Sequence, residues 1–74
     1  MVTAEFWEDF KWGHTHHTEL LKSYRDEWVA ITNKQVVSAG TNLAKVKQEA
    51  ELKTRKKGIP TFFVESGQFP FQNT

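Results

Sequence analysis

The chain has no cysteine. Disulfide frameworks and cysteine zinc sites are therefore excluded as staples for the fold. It has little excess charge: 10 Lys and Arg against 9 Asp and Glu leave a net charge of +1. That balance argues against a purely electrostatic nucleic-acid binder. It has no long apolar run, so no membrane-spanning helix is expected. The N-terminal stretch lacks the basic start and continuous apolar core of a signal peptide, carrying Glu5, Glu8 and Asp9 among its aromatics instead. A cytoplasmic protein is the expectation. No internal repeat or low-complexity segment occurs. With 74 residues the chain makes one domain at most, and such a domain buries only about 60–65% of its unfolded surface.

What the sequence does have is aromatic bulk: three Trp, six Phe and one Tyr. Residues 1–25 read as a helical segment. Trp7, Phe10, His14, His17, Leu21 and Tyr24 recur at spacings of three and four, with Phe6 and Leu20 widening the stripe. Thr3 is a candidate N-cap, and the acidic residues suit the positive end of the helix dipole. The stripe keeps phase across Gly13, so one long helix from about Ala4 to Tyr24 is expected. A break between Gly13 and Thr15 is the alternative.

Residues 27–65 read as a ββαβ core. Trp28-Val29-Ala30-Ile31-Thr32 and Val36-Val37-Ser38-Ala39 flank Asn33-Lys34, which suits a tight primed turn because Asn tolerates positive φ. A two-residue loop pairs Thr32 with Gln35, Ile31 with Val36, Val29 with Ser38 and Trp28 with Ala39. Apolar residues on both faces predict cover on more than one side of the sheet. After Gly40-Thr41-Asn42, which offers a cap, Leu43, Val46 and Ala50 define the apolar face of a second helix. Its basic last turn runs from Lys53 to Lys57, with Gly58 placed as the residue past its end and Pro60 barring continuation. Thr61-Phe62-Phe63-Val64-Glu65 is a third strand, returning parallel to the second or beside the first. Tyr24, Trp28, Phe62 and Phe63 are expected in the core. Residues 66–74 form a tail with Phe69 and Phe71 flanking Pro70. The fold class is thus α+β, a small single domain over residues 1–74. Its order is helix-strand-strand-helix-strand, with a three-stranded sheet and two helices.

This pattern resembles a family of uncharacterised small prokaryotic domains, catalogued only as a domain of unknown function. The residues that carry the resemblance are Trp12, His16 or His17, Leu20, Tyr24, Trp28, Val29, Ala30, Ile31, Asn33, Val36, Val37, Gly40, Leu43 and Val46. Phe62-Phe63-Val64-Glu65 resembles the family's closing strand. The likeness runs from roughly Trp12 to Glu65. Genes of this kind sometimes lie beside small retropepsin-like aspartic proteases. The resemblance therefore implies a fold and a protein partner, and supplies no catalytic residue.

Several residue sets bear on function. His14 and His17 lie one helical turn apart and could share a metal ion, but a third ligand is lacking. They are expected to pack along the stripe while His16 faces solvent. No metal and no cofactor is expected. The carboxylates Glu5, Glu8, Asp9, Glu19, Asp26, Glu27, Glu49, Glu51 and Glu65 are scattered and read as solvated surface charge. Ser23, Ser38 and Ser66 have no nucleophile motif, and Gly58 and Gly67 belong to no phosphate loop. No enzyme and no small-molecule substrate is indicated. Lys53, Arg55, Lys56 and Lys57 could contact phosphates, which makes nucleic-acid binding the alternative function. They also complement the helix dipole. Phe6, Trp7, Phe10, Trp12, Phe69 and Phe71 exceed what so small a core buries, and they mark an interface. The expected function is a non-enzymatic interaction module, acting as a homodimer or as an accessory subunit of a protein partner.

Overall fold

Thr32 and Gln35 flank a turn whose central residues, Asn33 and Lys34, have φ of 53° and 57°. Two left-handed residues in succession make the primed turn whose twist matches a right-handed hairpin. The computed structural model describes residues 3–66, so the Phe69-Pro70-Phe71 tail lies outside the described residues. The turn joins β1 (Trp28–Thr32) to β2 (Gln35–Gly40). Thr32 pairs with Gln35 and Ile31 with Val36, as expected. The register then shifts by one residue: Ala30 pairs with Ser38, Val29 with Ala39 and Trp28 with Gly40. The expected pairs Val29–Ser38 and Trp28–Ala39 are therefore corrected. The extra residue on β2 is Val37, a β-bulge. Its physical reason lies in the side chains that follow. Strict alternation would turn Ser38 toward the core that holds Val36. The bulge sends Val37 and Ser38 to the opposite face, where the Ser38 hydroxyl donates to Glu49 Oε1 at 3.0 Å, and returns Ala39 to the core.

The N-terminal segment is two helices, α1 (Ala4–Thr15) and α2 (His17–Tyr24), rather than one. Thr3 caps α1, its Oγ1 accepting from Phe6 N at 3.1 Å. The chain breaks at His16 rather than at Gly13. Two groups of His16 converge on the Trp12 carbonyl, the backbone N–H at 3.0 Å and Nδ1 at 2.8 Å. This local bond holds His16 at ψ 20°, away from helical geometry. Gly13 stays helical and buried because a Cβ there would stand 2.5 Å from Ile31 Cδ1. Glycine is needed for the close approach of α1 to the sheet, not for a bend.

The sheet order is β2-β1-β3, with β3 (Thr61–Phe63) antiparallel to β1. β3 thus lies beside the first strand and runs in the direction of the second. The pairing continues past the strand ends, with Ile31 N–H donating to Pro60 O and Val64 N–H to Glu27 O. Pro60 lacks only the N–H that this arrangement does not use. Leu20, Val29, Ile31 and Val64 form the core under α1 and α2. Ala30, Val46, Ala50 and Ile59 form a second core under α3 (Leu43–Thr54). Both faces of the sheet are covered, as the two-sided apolar pattern predicted.

Asn42 caps α3, accepting from Lys45 N at 3.1 Å. The helix ends at Thr54, three residues before Lys57, the expected end of its basic last turn. Thr54 Oγ1 donates to the Ala50 carbonyl and accepts from Lys56 N–H. Arg55, at φ 60°, takes the left-handed position that had been assigned to Gly58. Tyr24, Trp28 and Phe62 are half-buried. Phe63 is 40% exposed, against the expectation of a core residue. Its ring meets Trp28 at 5.4 Å on the sheet face where α3 lies over β2 and β1.

Candidate interaction surface

The buried positions of α1 are Asp9 and Gly13. The aromatic stripe is therefore a flank of the helix and not its inward face. Along that flank the rings touch in series. Phe6 meets Trp7 edge-on at 5.7 Å and Phe10 in a stack at 6.5 Å, while Trp7 and Phe10 lie 6.1 Å apart. Phe10 then meets His14 at 4.9 Å, and both reach Phe62 of β3, at 6.4 Å and 5.4 Å. Offset and edge-on rings at these separations attract beyond their burial. Phe6 and Phe10 are half-buried, and Trp7 stands out at 52% exposed.

Trp12, expected with these residues, sits elsewhere. It packs against the core under α1 and α2 and stacks on His16 at 4.4 Å. Five residues after Trp7, it falls on the other side of the helix. His16 is thereby half-buried, not turned to solvent as expected. His14 is exposed with its ring against Phe10 and Phe62, and His17 lies 6.3 Å from Phe62. Among the described residues no group of three His, Cys, Asp or Glu side chains could hold a metal ion. None of their helices is long and apolar enough to cross a membrane.

The basic residues divide. Lys53 Nζ donates to the carbonyl of the bulged Val37 at 2.9 Å. Lys56 Nζ donates to Thr32 Oγ1 at 3.0 Å and stands 3.7 Å from Glu5 Oε2. Arg55 and Lys57 are exposed, and among the described residues neither forms an ion pair. Beside them Leu52 is 71% exposed. It lies in an open recess of about 320 Å³ bounded by Gln48, Glu51, Arg55, Lys56 and Lys57. The sequence reading passed over Leu52. Its signal was an aliphatic residue on the polar side of an amphipathic helix.

One carboxylate, Asp9, is not the solvated charge it was expected to be, while Glu49 and Asp26 are exposed as expected and each is engaged by a serine. Asp9 is 4% exposed. It accepts from Lys34 N at 2.9 Å and Asn33 N at 3.2 Å, so α1 caps the hairpin turn. Glu49 accepts from Ser38. Asp26 accepts the Ser66 hydroxyl at 2.7 Å and the Ser66 N–H at 3.1 Å. The hydroxyl bond first, and the N–H bond with it, hold the Asp26 carboxyl below its ordinary value.

A family of unknown function, DUF5678, matches residues 19–66. This chain is a member of that family. No curated protein and no solved structure gives a match. The DUF5678 span takes in α2 from Glu19 onward, the hairpin, α3 and β3, and with them every core residue of the sheet. It does not reach Trp12, His16 or His17, which the resemblance had included. All of α1, with Trp7 and the acidic residues beside it, precedes the DUF5678 span.

Proposed function

We propose that this DUF5678 chain is a non-enzymatic protein-interaction module, an accessory subunit or a homodimer, that associates through the exposed flank of α1. The observation that carries this reading is Trp7, 52% exposed at the head of a continuous series of rings. A large indole held half in water by neighbouring rings is typical of an interface anchor and unusual on a monomer. The carboxylates add support. Asp9, Glu49 and Asp26 have their oxygens engaged by a turn or a serine, an arrangement suited to structure and not to acid–base chemistry. The absence of a long apolar helix among the described residues agrees with work away from a bilayer core, and the cytoplasm is the compartment we assign.

The test is affinity capture from a lysate of the source organism, with and without nuclease, using the wild type and Trp7→Ser. A stoichiometric protein that survives nuclease and is lost with Trp7→Ser is the expected result. The substitution is on the surface and should cost less than ~1 kcal/mol of stability. A retropepsin-like protease among the captured proteins would fit the gene pairing that the resemblance implies. Capture that vanishes with nuclease would instead favour nucleic-acid binding through Lys53, Arg55, Lys56 and Lys57, with a steep salt dependence.

A further inference from the structure

The two faces of β3 are covered unequally. Val29, Ile31 and Val64 lie on the sheet face under α1 and α2, while Trp28 and Ala30 lie on the face under α3. Side chains alternate along a strand, so Phe62 shares the first face and Phe63 the second. Phe62 is met by the rings of Phe10, His14 and His17. Among the described residues Phe63 is met by one ring, that of its cross-strand partner Trp28 at 5.4 Å. α3 packs over β2 and β1, and β3 lies beyond β1 at the edge of the sheet. The α3 face of β3 is thus an open apolar shelf, with Phe63 40% exposed and Trp28 half-buried beside it. The described chain ends next to this shelf. Ser66 follows Phe63 by three residues, and Asp26, two residues before Trp28, accepts its hydroxyl at 2.7 Å and its N–H at 3.1 Å. Residues 67–74 lie outside the described residues, and their large apolar groups are Phe69 and Phe71.

We propose that the shelf is covered by the Phe69-Pro70-Phe71 segment of the same chain, with the Phe69 ring against Phe63 and Trp28. Reach selects this occupant. An extended chain advances about 3.5 Å per residue, so three residues carry Phe69 about 10 Å from Ser66, enough to meet the Phe63–Trp28 pair. Trp7, the other exposed ring, stands at the opposite end of the sheet. Asp9 ties its helix to the N–H groups of Asn33 and Lys34 at the hairpin turn, and β1 separates that turn from the Asp26 end by about 15 Å. Ser66-Gly67 is a turn dipeptide, which lets the chain reverse over the strand it has left. Pro70 fixes its own φ and holds Phe69 extended, so the segment has less freedom to lose on docking. It carries no charged side chain to strip of water. A ring from a second copy would have to find the shelf from solution. A tethered ring is present at an effective concentration of millimolar order.

The test is NMR of the full chain, wild type and the double variant Phe69→Ser with Phe71→Ser. In the wild type, nuclear Overhauser contacts are expected from the Phe69 ring to the rings of Phe63 and Trp28. They should persist on dilution and be absent between labelled and unlabelled chains in a mixed sample. In the double variant the Trp28 indole N–H should shift while those of Trp7 and Trp12 hold still, and the urea midpoint should fall. Phe63→Ser removes the shelf, so adding the two tail substitutions to it should lower the midpoint no further, a coupling that a mutant cycle reads. Should Phe63→Ser not fold, the wild-type contacts and the Trp28 shift carry the test. A wild type without contacts from Phe69 to Phe63 and Trp28 overturns the proposal, as does a Trp28 indole indifferent to the double variant. Contacts between labelled and unlabelled chains overturn it by giving the shelf to a second copy. Contacts from Phe69 to Trp7 overturn it by placing the tail on α1. None of these variants alters the flank of α1, so the interaction reading above stands or falls separately, by the lysate capture.

Discussion

At the scale of single residues, Gly13 is the position where two effects of opposite sign can be compared. Alanine would gain roughly 1 kcal/mol of helix propensity. Its Cβ would meet Ile31 Cδ1 at 2.5 Å and Phe62 Cζ at 3.3 Å. Overpacking of that kind typically costs about 1–3 kcal/mol. Ile31 is 2% exposed and has little room to yield. Gly13→Ala should therefore lower the urea midpoint, a net loss of about 1 kcal/mol. Ile31→Val removes the offending methyl. In the Gly13→Ala background it should cost less than it does alone, a coupling that a double-mutant cycle reads directly.

Asp26 makes a prediction in pH. Ser66 depresses its carboxyl from the ordinary value of 3.8. The folded state thus binds the proton less readily than the unfolded state. The stabilisation is present above about pH 4 and is lost as pH falls through the depressed value. Ser66→Ala removes the leading cause and should return the Asp26 titration, followed by NMR, toward 3.8. An unmoved titration would show that the hydroxyl is not what holds it. Asp26 is also left-handed, at φ 57°, so Asp26→Asn tests the charge while keeping a residue that tolerates the backbone.

At the scale of elements, the legible parts were those set by local chemistry. The caps at Thr3 and Asn42, the Asn33-Lys34 turn and the first two hairpin pairs follow from residues within a few positions of one another. The parts that were not legible depend on distant partners. The bulge at Val37 answers to Glu49 on α3, and the burial of Gly13 answers to Ile31 and Phe62. The end of α3 turned on whether Thr54 or Gly58 closes the last turn, a competition that periodicity does not decide. Asp9 shows the same limit. An acidic residue in an aromatic helix reads as surface charge until the hairpin is folded against it. Its two oxygens then serve two N–H groups of one turn. Asp9→Asn keeps one acceptor and turns an NH₂ group toward the other N–H. It should cost about 1.5–3 kcal/mol, measured as a fall in the urea midpoint at unchanged slope.

At the scale of the whole molecule, the arrangement is a sheet between two helical layers, with the aromatic surplus at one flank. Of the aromatics expected in excess of the core, Trp7 is exposed, while Phe6, Phe10 and Trp12 are half-buried. Composition and size alone require some of that surplus to be exposed. Which ring is exposed was not legible, because Trp7 and Trp12 differ only in the side of α1 they occupy. Leu52 was missed because the recess around it is completed by Arg55, Lys56 and Lys57 beyond the end of α3, which periodicity along the helix does not show. The edges of the sheet differ as well. On β2 the bulged Val37 carbonyl is already bonded to Lys53, which blunts that edge against strand addition. Association through helix flanks suits a sheet managed in this way.

The most direct measurement is a dilution series of the wild-type chain followed by ¹H–¹⁵N NMR. Self-association through the Trp7 flank of α1 predicts one pattern. The Trp7 indole N–H and the amides of Glu8, Phe10 and Lys11 shift together with concentration, while Trp12, Trp28 and the sheet hold still. Shifts confined to β3, or none at Trp7 across the range, would contradict it.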